Sequence, residues 1–416
     1  MSAVQVATVE AKLTAAGVNV VAPRSTQQPF HSTLGAVHTN ISGYNIAAAI
    51  ADINAQIPTW QPRPIAIEHL HLGLYTMAAP PPPSLPKKTK EKAAVDVPSC
   101  CPAGGGRISV PSICPTISAA MGCASSAGSR TEIALAPGTF REKVLVPVSA
   151  GAVTILGLGA GATIVHADQG GNESYPCEGN ECMNGTLVVL ADDFILSNVR
   201  VANAFNDFSA GKNFALNLVG DRMSVFRSSF FGKDDMFYTG DKRIFVAHST
   251  LNGSTDFLFG QGAAVFLNCT ILAEPGQFWS FVTAASGNCT SSGCGDRSTY
   301  LLDRCRLPAQ PGGRLGTTFL GRPWGYQSSV LYKNCWMDKH INPAGWALYR
   351  HQKCLTLADS CMNTNYAEFN STGPGATPAL LAQRVKWSRQ LSAAQAAQWT
   401  AQSVLRGWTP PPEPAL

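Results

Sequence analysis

Six short runs in the chain repeat one pattern: a small or Cys residue, then any residue, then an apolar one. They are Ser197-Asn198-Val199, Ser229-Phe230-Phe231, Ser249-Thr250-Leu251, Cys269-Thr270-Ile271, Cys305-Arg306-Leu307 and Cys335-Trp336-Met337. From Ser229 onward the steps are 20, 20, 36 and 30 residues. A step near 20 residues, lengthened by loops, is the mark a solenoid leaves in a sequence. Each turn of such a stack buries its apolar face only against its neighbours. The pattern therefore predicts an all-β solenoid with an inward ladder of small residues, in which Cys269, Cys305 and Cys335 are free core thiols. Composition agrees. Only 14% of residues are charged, against about 25% in ordinary domains. Gly and Pro are frequent, at 38 and 28 residues, which suits short strands and turns better than a helical bundle. Leu391 to Leu405 has helical spacing and predicts a short C-terminal helix that caps the stack or packs along its flank.

The repeats begin near residue 107. Residues 1–78 form an N-terminal segment of unassigned role, with one candidate helix over Asn45 to Ile57. Residues 79–106 read as a linker, Pro-rich and then Lys-rich, and 107–410 as the solenoid domain. The net charge is +5, and the run from Lys87 to Lys92 supplies +3 of it. That is a solvated linker and no nucleic-acid footprint. No apolar stretch is long enough to span a membrane. MSAVQVATVEAKL shows no basic region followed by an apolar one, so no secretion leader is read there. The cysteines point the other way. Thirteen are present, and Cys114/Cys123, Cys177/Cys182, Cys289/Cys294 and Cys354/Cys361 are spaced as disulfides closing short loops in an oxidising compartment. Sequons at Asn40, Asn172, Asn184, Asn252, Asn268, Asn288 and Asn370 also fit an extracellular protein.

Two acidic sites could carry chemistry. Asp234-Asp235 follows one repeat, and Asp256 precedes the next strand 21 residues after Asp235. One solenoid step brings two such residues side by side. Adjacent carboxylates cannot both ionise freely, which suits one as nucleophile and the other as general acid. The competing account is a pair of turn aspartates bonded to local backbone. Arg322, held between Gly321 and Pro323, is placed to pair with a carboxylate, and Trp324 offers a face for stacking on a sugar. Other motifs lead nowhere. Gly157 to Gly161 fails the dinucleotide fingerprint at Ala162 and reads as a turn between rungs. His69 and His71 lack a third zinc ligand at motif spacing. No G-x-S-x-G is present, so serine esterase chemistry is unsupported.

Five segments, in order, resemble the pectin methylesterase (pectinesterase) family: Gly138-Thr139-Phe140-Arg141-Glu142, GKDDMFY at 232–238, DFLFG at 256–260, LGRPW at 320–324, and NYAEFNSTGPGA at 365–376 followed by RVKW at 384–387. The resemblance implies a right-handed parallel β-helix that hydrolyses methyl esters of pectin, a polygalacturonate, and releases methanol. It implies Asp256 as nucleophile, Asp235 as general acid and then base, and Arg322 as the partner of Asp256. Trp324, Phe140 and Trp346 become cleft or cleft-supporting residues. It implies no metal and no cofactor, a cell-wall polysaccharide partner without nucleic acid or membrane, and a monomer.

The chain departs from the family where two Gln residues stabilise the oxyanion. The first falls on Lys212, beside Asn213, and the second on Asp234. Met236 replaces a Thr, and Ala285 stands where a substrate-site Gln is usual. An ionised Asp cannot donate to an oxyanion, and one lost donor costs about 2.7–4 kcal/mol of barrier. Lys212 could compensate, as donor or as a partner for Asp234. A protonated Asp234 could also serve. Three functions are open: a pectin methylesterase with an altered oxyanion hole, a weak or inactive pectin-binding homologue, or an esterase or thioesterase for another acyl substrate.

Overall fold

The computed structural model describes residues 19–20, 37–38, 100–101, 107–124, 130–166, 185–205, 212–274, 279–287, 289–290, 293–294, 298–325, 327–348 and 364–415. The chain divides between Thr89 and Lys90 into two units. In the first, Asn19–Val20 pairs antiparallel with Val37–His38. The helix expected at 45–57, His69, His71 and the Pro- and Lys-rich stretches lie outside the described residues. The second unit carries the repeats and the acidic residues.

In that unit, three sheets of 11, 8 and 7 strands are stacked side by side, and each coil of the chain adds one strand to each in turn. This is a parallel β-helix. Its core is built from in-register columns. In the 11-stranded sheet, Ile108, Ile133, Ile155, Leu196, Val225, Val246, Phe266, Leu302 and Tyr332 stand in one line and all are buried. Branched and aromatic side chains fill such a pleated, two-sided surface well. The line ends on Glu368, opposite Tyr332 and fully buried. Arg384 closes that carboxylate with two bonds of 2.8 and 3.3 Å and gives its other N–H groups to the carbonyls of Asn342, Pro343 and Gly375.

Each coil turns from the 11-stranded to the 8-stranded sheet through one left-handed residue. Asn198, Arg227, His248, Asn268, Arg304, Asn334 and Asn370 take φ between 42° and 56° there. Asn tolerates this conformation better than most residues. It also links coils: Asn334 donates to Asp303 and Asn370 donates to Asn334. The small-residue ladder follows the corner, with two shifts from the expected register. Ser229 pairs with Thr250 and Phe230 with Leu251, so Ser228, not Ser229, is the ladder residue, and its N–H donates to Ser249 Oγ at 3.1 Å. One coil earlier Val199 takes that place, because Arg200 faces Ser229. Ser197 instead ends a strand of the 11-stranded sheet. Cys269, Cys305 and Cys335 are free and buried, as expected. Their thiols donate to the carbonyls of Val246, Phe266 and Leu302 in the coil before. Burial pushes the Cys269 and Cys305 thiols well up, which makes them inert.

The helix Ile117–Ala124 packs against the main core at the N-terminal end of the stack. Disulfides Cys100–Cys114 and Cys101–Cys123 tie the preceding chain to it, so Cys114 and Cys123 do not pair with each other. Cys289 and Cys294 face each other across a short antiparallel backbone pair. Cys177, Cys182, Cys354 and Cys361 lie outside the described residues. Glu142 accepts the N–H groups of Ile117 and Ser118 at 3.0 and 3.1 Å, satisfying donors that a helix start leaves open. The predicted C-terminal helix is two helices, Ala393–Ala397 and Ala401–Val404. A capping box opens each, at Ser392/Gln395 and at Thr400/Ser403, and the second one interrupts the run. Val404 and Leu405 bury against Val265, Leu301 and Leu331 on the outer face of the 11-stranded sheet. The flank position is as expected. The glycines at 159 and 161 do form a turn, with φ of 56° and 87°, but within one coil, from Val153–Gly157 of the 11-stranded sheet to Ala162–His166 of the 8-stranded sheet.

Candidate active site

The turn from the 8-stranded to the 7-stranded sheet carries the acidic residues. Phe237 pairs with Leu258, so Asp235 and Asp256, each two residues earlier, occupy equivalent places on adjacent strands, about 4.8 Å apart along the stack. Asp234 bridges Thr255, and the Asp235 N–H donates to the Thr255 carbonyl at 3.0 Å. Both Asp235 and Asp256 are left-handed, with φ of 54° and 49°, and both are nearly buried. A glycine three residues before each makes the turn possible. A Cβ at Gly232 would lie 2.6 Å from the Asn213 carbonyl oxygen, and one at Gly253 would lie 2.3 Å from Phe257 Cβ. The 21-residue spacing thus reports one coil, as the sequence predicts.

Arg322 directly follows the strand Thr318–Gly321, which lies two places along the 7-stranded sheet from Leu258–Gly260, with Ser280–Ala285 between. It holds Asp256 with two bonds, Nε to Oδ1 at 2.8 Å and Nη2 to Oδ2 at 2.7 Å. Such a fork fixes the carboxylate's plane as well as its charge. The guanidinium rests on Phe281, 4.0 Å from the ring centroid, and Phe281 stacks on Phe319 at 5.3 Å. Neither phenylalanine is marked by the sequence motifs, although Phe281 lies two residues before Thr283, the residue that Gly321 pairs with. Trp346 pairs with Gly321 by an isolated bridge and packs edge-on against Tyr332 and Tyr366. It is buried and supports the Arg322 strand from beneath.

Trp324 is partly exposed and anchored by its N–H to the Ala285 carbonyl at 2.9 Å. It packs on Phe259 at the rim of a buried aromatic cluster that includes Tyr238 and Phe214. Met236 and Ala285 are core residues. Phe140 is not brought to the carboxylates. It lies on the 8-stranded sheet, paired with Ile164 and packed against the main core.

Lys212 pairs with Asp235, Nζ to Oδ2, and its charge also acts on Asp234, the partner expected from the sequence. Its ammonium also lies 5.9 Å from the Phe259 ring centroid. Asn213, the other oxyanion candidate, is fully buried. Its side chain accepts the N–H groups of Lys233 and Asp234 and donates to the Phe205 carbonyl, which holds the acidic turn in place. Burial, and then the charges of Asp235 and Asp256, push Asp234 up to about 8. Burial pushes Asp235 up to about 6, against the opposing pull of Lys212. Neighbouring carboxylates with different proton affinities, one of them clamped by an arginine, can divide nucleophilic and acid–base work. Among the described residues, the cluster of possible metal ligands is Cys100, Cys114 and Cys123, and both disulfides consume it. No described helix is long and apolar enough to cross a membrane.

Fold and site together define a parallel β-helical protein with a clamped carboxylate pair on one face. The pectinesterase family model matches residues 110–408, and the chain belongs to the pectinesterase family. It is 32% identical to pectinesterase 2 of Citrus sinensis over 311 residues, 71% of this chain and 56% of that protein. The chain thus spans about half the length of such curated relatives. Among solved structures it resembles a pectin methylesterase from carrot, with a TM-score of 0.60 and 24% identity, covering 70% of this chain and 89% of that one. It also resembles a pectin methylesterase in complex with a hexasaccharide, with a TM-score of 0.55 and 23% identity, covering 71% and 94%. These structures share the right-handed parallel β-helix.

Proposed function

We propose that this protein hydrolyses methyl esters of pectin. The observation that carries the proposal is the Arg322-clamped Asp256 beside Asp235, with the partly exposed Trp324 on the loop after Arg322, in a chain of the pectinesterase family. The Asp256 carboxylate attacks the ester carbonyl. Asp235 gives its proton to the departing methoxide, methanol leaves, and an acyl-enzyme remains. Asp235, now ionised, takes a proton from water. The hydroxide attacks the acyl group, freeing Asp256 and a galacturonate carboxyl group. The ion pair with Lys212 suits this double duty, because it keeps Asp235 from holding its proton too tightly. Trp324, partly exposed above the buried rings of Phe259 and Tyr238, offers a face that suits a sugar, and the hexasaccharide complex of a related fold agrees with that substrate class. The two disulfides suit an extracellular setting such as a cell wall. A single chain holds the whole constellation, so a monomer suffices.

A purified sample assayed for methanol release from methylated pectin tests the reaction. Lys212 gives a sharper check. It lowers the proton affinity of Asp235, so Lys212→Met raises that affinity. The acid form then persists to higher pH, and the alkaline limb of kcat/KM moves up. An unmoved limb would remove Lys212 from the control of Asp235.

A further inference from the structure

The acidic corner holds three carboxylates and two cations. Lys212 is engaged by Asp235 and Arg322 by Asp256. Asp234 is the third carboxylate, partly buried, on the same turn as Asp235 and bridged to the residue before Asp256. The groups that act on it are Asp235 on its own turn, Asp256 on the next coil, Lys212 just before the preceding strand of the 7-stranded sheet and Arg322 from two strands beyond Asp256. With every carboxylate ionised, three negative charges crowd one partly buried corner around Lys212 and Arg322, with Lys233 preceding Asp234 on the turn. A proton on one carboxylate relieves that crowding.

We propose that Asp234 carries that proton and that its neutral carboxyl group donates a hydrogen bond to the oxyanion formed when Asp256 attacks the ester. This rests on the esterase reading above and deepens it. The O–H stands in for an amide donor, while an ionised Asp234 would repel the developing charge. Asn213 is fully buried and holds the turn, its oxygen on the Lys233 and Asp234 N–H groups and its amide on the Phe205 carbonyl. The direction of the proton affinity agrees, since burial and two flanking carboxylates push Asp234 up to about 8. Above that pH the donor is lost, independently of the proton that Asp235 must deliver.

The test compares Asp234→Asn and Asp234→Ala with the parent in methanol release from methylated pectin across about pH 4 to 10. In the parent, kcat/KM falls as one proton is lost above about 6 and as two are lost above about 8. Asp234→Asn keeps an N–H donor at every pH. It retains activity at low pH within about tenfold, and its alkaline limb shows loss of one proton only. Asp234→Ala loses about 10²–10³-fold below about pH 8 and converges on the parent above it, where the parent's own donor is gone. A parent limb with one proton only, or a limb that Asp234→Asn leaves unchanged, overturns the proposal. Thermal melts read the proton without substrate. A raised native pKa burdens the fold as pH climbs above the unfolded value of about 4. The melting-temperature gain from Asp234→Asn therefore grows from about pH 4 to about pH 8, and a gain independent of pH would contradict the protonated carboxyl. A parent that releases no methanol at any pH while Asp234→Asn shows the pH-dependent gain overturns the esterase reading and the donor role, and leaves only the proton in place.

Discussion

Asp256→Asn is expected to lower methanol release by about 10⁴-fold or more while leaving the thermal melt close to that of the parent. Losses of this order accompany removal of a nucleophile from a preorganised site. The amide is nearly isosteric with the carboxylate and can still accept from Arg322, so the clamp on Phe281 survives in part. What it loses is the charge and lone pair that attack the ester. Methanol assays beside melts separate the two effects. An Asn variant within tenfold of the parent would show that Asp256 is not the nucleophile.

The second large effect concerns stability. Arg384→Met is expected to destabilise the β-helix by about 3–5 kcal/mol, because it leaves Glu368 charged and buried without its partner. At about 2–4 °C per kcal/mol for a domain of this size, the melting temperature falls by roughly 10 °C. The double replacement Glu368→Leu with Arg384→Met should recover much of that loss, since an apolar pair of similar volume removes the stranded charge. Melts of both singles and the double decide it. A double variant as unstable as the sum of the singles would mean that Arg384 matters through its bonds to Asn342, Pro343 and Gly375 and not through Glu368.

The parts of this molecule that are legible in its sequence are those repeated once per coil. Cys269, Cys305 and Cys335 are visible as a ladder because each recurs one or more coils after the last. Asp235 and Asp256 are visible as neighbours because 21 residues is one coil. Where adjacent residues are chemically alike, the period blurs: Ser228 and Ser229 are equally good candidates, and only strand pairing separates them. Contacts between distant segments leave no period at all. Cys114 has a plausible partner nine residues away and takes one fourteen residues back, because the helix Ile117–Ala124 turns Cys123 toward Cys101. Glu142 reads as part of a family segment, yet it caps a helix 25 residues earlier. Phe140, in that same segment, packs on the core and not at the site. Lys212 is expected near the acidic turn and lies there, paired with Asp235 as well as acting on Asp234, since a long flexible side chain reaches more than one partner. The break in the C-terminal helix is readable in principle, from Thr400 and Ser403 at capping-box spacing.

One assay tests the esterase reading most directly: methanol released from highly methylated pectin by the purified, folded protein over a broad pH range. The expected result is steady methanol release that weakens as pH rises through about 6 and falls more steeply beyond about 8. No methanol at any pH from protein with an intact melting transition would contradict that reading, and would turn the Arg322–Asp256 clamp into the framework of a pectin-binding or different acyl-transfer site.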